Sequence, residues 1–113
     1  MKLDTTKYKL SIFTEDVCED CVKTKTILKE NNIPFFNKSI SRDGTKEKDN
    51  NRWDYIDAER EHNLPWYVPV LIIEDTSGNI TYIPSVQDKS KFEEGTCMEE
   101  AEEVIEILKP YLI

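Results

Sequence analysis

The most apolar stretch of this chain is Val68-Pro69-Val70-Leu71-Ile72-Ile73, in a sequence whose residues are 34% charged. Such a run, rich in β-branched residues, predicts a central strand. Thr76-Ser77-Gly78-Asn79 has hairpin-turn chemistry, so Ile80 to Ile83 should return beside it. Upstream, Tyr8 to Phe13 alternates in strand fashion, with Tyr8, Leu10 and Ile12 on one side. Residues 19–31 read as a helix that stops at Asn31-Asn32, before Pro34. Phe35 to Ile40 is a second short strand, and Ser41-Arg42-Asp43-Gly44 is a turn. Residues 46–62 predict a helix with a narrow buried face bearing Trp53, Ile56 and Ala58, ended by Pro65. Residues 84–96 read as irregular. The last helix is expected from Cys97 to Lys109, with Cys97, Ala101, Val104, Ile105, Leu108 and Leu112 on one stripe. Glu99, Glu100, Glu102 and Glu103 lie at its start, where acids are favoured.

The resulting order is β-α-β-α-β-β-α. The first two strands flank a helix, so they should be parallel and joined by a right-handed crossover. The third and fourth form a hairpin. The expectation is an α/β fold: a four-stranded mixed sheet with flanking helices on both faces. At 113 residues, the chain should be one domain spanning 1–113, with residues 1–7 a loose N-terminal arm.

Cys18-Glu19-Asp20-Cys21 carries the chemistry. It sits between the first strand and the first helix, where a C-x-x-C pair reads as redox-active. At a helix start, the first cysteine meets unpaired backbone N–H groups and the positive end of the dipole. Both favour the thiolate, the nucleophilic form. Cys18 is therefore the expected exposed nucleophile, and Cys21, one turn further in, the more buried resolving thiol. Glu15, Asp16, Glu19 and Asp20 surround Cys18 and should push its pKa up, each modestly because each is solvated.

Charge narrows the partners. Fifteen basic against 23 acidic residues give a net charge of −8, which argues against nucleic acid and anionic membranes. No apolar run approaches a membrane span. The start, Met1 to Lys7, lacks the apolar core of a signal peptide, so a cytoplasmic location is expected. There cysteines stay reduced, and three of them are an odd number for a disulfide scaffold. A monomer is expected.

The chain resembles the glutaredoxins. The resemblance rests on the strand before Cys18, the helix opening Cys21-Val22-Lys23-Thr24-Lys25, Asn32-Ile33-Pro34-Phe35, Val68-Pro69 before an apolar strand, and Gly95-Thr96-Cys97 before the last helix. It covers most of residues 8–112. It implies a thioredoxin-like fold and a dithiol-disulfide oxidoreductase acting in electron transport. It further implies a cis Val68–Pro69 bond whose loop lies against the redox pair, with the Val68 backbone offered to a bound thiol peptide. Tyr67, Val68, Pro69, Gly95, Thr96 and Cys97 would then contact substrate or glutathione. Glutathione would be a co-substrate, with no cofactor bound. Three departures stand out. Glu15 and Asp16 occupy positions where the family usually carries a basic residue. Glu19-Asp20 replaces Pro-Tyr between the cysteines, and Gly95-Thr96 replaces a glycine pair. Acids around Cys18 should weaken capture of anionic glutathione. The chain is thus similar also to small redoxins that reduce ribonucleotide reductase and draw electrons from thioredoxin reductase.

Other readings compete. Cys18 and Cys21 could ligate zinc, but a second C-x-x-C or paired histidines are absent, leaving only Cys97 and His62 to complete a site. An iron–sulfur cluster shared between two copies is the second metal alternative. Cys97 is either a small helix residue or a third thiol near the pocket. His62 reads as a surface residue with no nucleophile beside it. Trp66 and Tyr67 are either core or an aromatic rim around the thiol; Tyr82 and Trp53 are expected in the core. The acids from Glu93 to Glu106 are a solvated face or a docking surface for a basic partner. Two classes of function follow: the oxidoreductase, and a non-catalytic module that docks a protein through its acidic surface.

Overall fold

The computed structural model describes residues 2–62, 67–92 and 95–113. Its elements run β1 (Tyr8–Thr14), α1 (Glu19–Glu30), β2 (Phe36–Ser39), α2 (Lys46–His62), β3 (Val70–Asp75), β4 (Ile80–Ile83) and α3 (Val104–Leu108). Short 3₁₀ turns occupy Lys89–Lys91, Ala101–Glu103 and Lys109–Tyr111. The four strands lie in the order β2-β1-β3-β4. β1 runs parallel to β2 and antiparallel to β3, and β3 pairs antiparallel with β4. This is the α/β mixed sheet expected from the sequence.

Strand alternation sends successive side chains to opposite faces, and both faces of β1 and β3 are used. Leu10, Ile12, Leu71, Ile73 and Ile83 face one way and pack with Leu28 of α1 and Val104 and Leu108 of α3. Phe13, Val70 and Ile72 face the other way and pack with Tyr55 and Ala58 of α2. The Phe13 and Tyr55 rings meet edge-on at 5.2 Å. Among the described residues, no helix is long and apolar enough to cross a membrane.

Helix α1 is bounded by its own sequence. Cys18 caps its start, and Glu19 and Asp20 occupy the first turn. At its end, the Asn31 side chain donates to the Ile27 carbonyl at 2.8 Å, and Asn32 takes the left-handed conformation, φ 56°, that asparagine tolerates.

Four expectations need correction. The N-terminal arm is not loose. Lys2 and Ile113 exchange backbone hydrogen bonds at 3.1 and 2.7 Å, Leu3 bridges Leu112, and Leu3 is buried in the core. The last helix is shorter than Cys97–Lys109, because the Met98 backbone is already committed to pairing. Met98 N–H donates to Pro84 and its carbonyl accepts from Val86, both at 2.8 Å. Helical structure starts only at Ala101, where the Glu103 carboxylate accepts the N–H groups of Glu99 and Glu100 at 3.0 and 2.8 Å. Trp53 is 64% exposed rather than core. The buried stripe of α2 is Asn51, Tyr55 and Ala58, and a residue two positions from Tyr55 points roughly 200° away from it. Tyr82 is only half-buried, against the α2-side core. Pro65, Trp66, Glu93 and Glu94 lie outside the described residues.

Leu3→Ala tests the tethered N-terminus. Removing a buried leucine side chain should cost about 2 kcal/mol or more, read as a lower midpoint in urea unfolding. An unchanged midpoint would return residues 1–7 to the status of a loose arm.

Candidate functional site

The site forms where the loop after β1 meets the loop before β3. Phe13 pairs with Val70 at the end of their ladder, so the segments beyond must approach each other. Cys18 and Cys21 are joined as a disulfide, with Cα atoms 5.2 Å apart. Cys18 is half-buried, and Cys21 is fully buried. The Cys21 backbone N–H donates to the Cys18 sulfur at 3.0 Å. That sulfur also lies 3.9 Å from the Val68 carbonyl oxygen, and the Val68–Pro69 peptide bond is cis.

An N-cap sulfur that accepts a helix N–H satisfies one of the orphan donors of the first turn. In the reduced protein the same donor faces a thiol, and it favours the thiolate over the neutral form. The geometry thus makes Cys18 the more reachable sulfur of the two.

Of the other sequence-predicted residues, Val68 is brought to Cys18, Pro69 is buried, and Tyr67 is 45% exposed beside them. Gly95 and Thr96 are exposed, Gly95 with a φ of 127°. Cys97 is buried, and no described contact joins it to Cys18. Burial pushes the Cys97 thiol up; Lys89 opposes this, and Glu103 and Glu99 add to it. His62 ends α2, is exposed, and lies with its ring 4.8 Å from that of Tyr82. Among the described residues, no cluster of three or more His, Cys, Asp or Glu side chains is arranged to hold a metal ion.

The four acids around Cys18 are all exposed, but they are not four free charges. Asp16 is bridged by Lys48 of α2 at 3.1 Å, and Lys48 also holds Asp43 at 2.9 Å. The Asp16 backbone N–H donates to the Ser41 hydroxyl at 2.6 Å. Glu19 has Lys23 at 3.5 Å, one turn further along α1. Glu15 and Asp20 remain without an ion pair among the described residues. The Lys48 bond holds the Asp43 carboxyl down at about 2, helped by Thr45, and the Asp43 and Asp16 bonds raise Lys48.

Sequence reasoning missed three residues that shape this site. Lys48 and Ser41 tie down the loop before Cys18. Ser85 donates its hydroxyl to the Pro69 carbonyl at 2.5 Å, and its backbone bridges Met98, so it links the Pro69 loop to the Cys97 segment. Lys48 carried no local signal; Ser41 lay in a recognised turn, but its partner 25 residues away could not be read locally.

Comparison with protein-family models, curated proteins and solved structures finds no match. What the geometry itself establishes is a C-x-x-C pair at disulfide distance, a feature compatible with redox chemistry.

After reduction and removal of the reductant, brief iodoacetamide treatment should label Cys18 first, and Cys21 and Cys97 slowly. Peptide mapping reads the order, and preferential label on Cys21 would reverse the assignment of the two sulfurs. A second test concerns Lys48. Because Asp43 titrates lower when folded than when unfolded, the bridge stabilises above the ordinary carboxylate range near pH 4 and is lost as pH falls towards about 2. In Lys48→Met, the Asp43 carboxyl should titrate higher than in the native protein but still below its ordinary value, because the Thr45 hydrogen bonds remain, as read by carbon-detected NMR; a midpoint that stays near that of the native protein would remove Lys48 as the main cause.

Proposed function

We propose that this protein is a dithiol-disulfide oxidoreductase of glutaredoxin type, built on a thioredoxin-like fold. The observation that carries the reading is the Cys18 sulfur. It is half-buried at the helix start, takes the Cys21 N–H at 3.0 Å and lies 3.9 Å from the Val68 carbonyl. The sheet order β2-β1-β3-β4 and the Pro69 loop beside the pair support the fold reading.

In the proposed cycle the Cys18 thiolate attacks one sulfur of a substrate disulfide. The other substrate sulfur leaves as a thiolate, and a mixed disulfide forms. The Cys21 thiol loses its proton and attacks Cys18, releasing the second substrate thiol and closing the Cys18–Cys21 bond. Two electrons and two protons pass to the substrate. A thiol donor, either glutathione or a thioredoxin reductase, restores the dithiol. Glu15 and Asp20 disfavour capture of anionic glutathione, which keeps the reductase route in play. A protein disulfide, such as that of ribonucleotide reductase, is the substrate class.

Turnover of insulin or hydroxyethyl disulfide is the direct test. Cys18→Ser should abolish it, whereas Cys21→Ser should trap a mixed disulfide visible by mass spectrometry. Full turnover by Cys18→Ser would end the proposal. Replacing Glu19-Asp20 by Pro-Tyr removes charge beside the thiolate, stabilises the reduced form and should raise the reduction potential by on the order of tens of millivolts. Asp20 should supply the larger share, since Lys23 already offsets Glu19. A redox titration showing a lower potential would mean that these acids do not control the thiolate.

A further inference from the structure

The surface beside Val17 stands apart from the rest of this acidic molecule. Val17, the residue before Cys18, is 97% exposed. It lines a cleft of about 450 Å³ with Arg42, Arg52 and Ile56. Arg42, Arg52 and Ile56 also line a second hollow, whose wall includes the exposed ring of Trp53. The two hollows share these three residues and so lie side by side, as a strip from Val17 to Trp53. Glu15, Asp16 and Asp49 border it, but Asp16 is bridged by Lys48, and among the described residues neither guanidinium is held in an ion pair.

Two unengaged arginines and an exposed tryptophan are residue types enriched at protein recognition sites, and the exposed valine adds apolar surface beside them. Arginine presents a planar fork of donors that matches a carboxylate. In a chain of net charge −8, most of the surface repels an acidic segment, so the unpaired arginines mark where one can land. We propose that this strip docks the peptide segment flanking the disulfide of a protein substrate, and that the segment carries an acidic residue beside an apolar one. Arg42 and Arg52 take the carboxylate, and Trp53, Ile56 and Val17 take the apolar side chain. This deepens the oxidoreductase reading and rests on it for the chemistry, not for the binding.

The test compares two synthetic peptides with the same internal disulfide and a leucine beside it, one flanked by aspartates and one by lysines. Pre-reduced protein is mixed with excess oxidised peptide and no other thiol, and the single-turnover rate constant is measured. The aspartate peptide should react on the order of tenfold faster, equivalent to about 1.4 kcal/mol, and the preference should shrink as salt rises. Arg42→Ala/Arg52→Ala should lose the preference while its rate with uncharged hydroxyethyl disulfide stays within about twofold of the unmodified protein. Trp53→Ala should slow both peptides. In parallel, a serine-for-cysteine copy of the aspartate peptide is titrated against tryptophan fluorescence. Binding lost in the double arginine variant supports docking even if no disulfide is reduced, an outcome that sinks the oxidoreductase reading alone. Reduction of hydroxyethyl disulfide with no difference between the peptides overturns the docking strip, as does a double variant slowed only towards glutathione mixed disulfides.

Discussion

Pairing of β1 with β3 is the constraint on which the site depends. The antiparallel ladder runs from Tyr8 opposite Asp75 to Phe13 opposite Val70, with both strands buried on both faces. A one-residue slip would turn Leu10, Ile12, Leu71 and Ile73 out of one core and Phe13 and Val70 out of the other. The register is therefore fixed by burial on two sides at once. Where it ends, the chain after β1 and the chain before β3 have to meet, and there the Cys18 sulfur comes within 3.9 Å of Val68. The core, rather than any attraction between the loops, brings sulfur and carbonyl together.

Electrostatics around that point are set by α2 as much as by the C-x-x-C itself. Asp16 lies beside Cys18 in sequence, but its charge is shared with Lys48, 32 residues later. The same lysine holds Asp43, so the turn after β2 and the loop after β1 are fastened to one helix. Local composition around the cysteines overstates the negative field that Cys18 meets. The basic partner of Asp16, two positions before Cys18, is supplied through space instead of along the chain.

Composition and turn chemistry made most of the elements legible. Val68 to Ile73 was readable as a continuous apolar run, Ile80 to Ile83 as the return from a hairpin turn, and the charged helix over 46–62 from a few apolar residues on a narrow face. The errors share a cause. Cys97 looks helical by its stripe, yet the backbone of its neighbour Met98 is taken by Pro84 and Val86, a pairing that side-chain periodicity does not encode. Trp53 looks like core by its type, but Tyr55 sets the buried face of α2. The tether of Leu3 to Leu112 depends on two chain ends that only the folded sheet brings together. In the site, the cysteines and the Val68-Pro69 loop were legible as a motif. Lys48, Ser41 and Ser85 were not, because each acts on a partner far away in sequence.

Cys18 as the cap of α1 has one more consequence. The Cys21 N–H has a sulfur acceptor in the disulfide, and that acceptor belongs to the residue that caps the helix. In the proposed cycle a Cys18 thiolate would be a stronger acceptor for the same donor. One backbone group would then serve both halves of the cycle, holding the helix start whether the bond is closed or open.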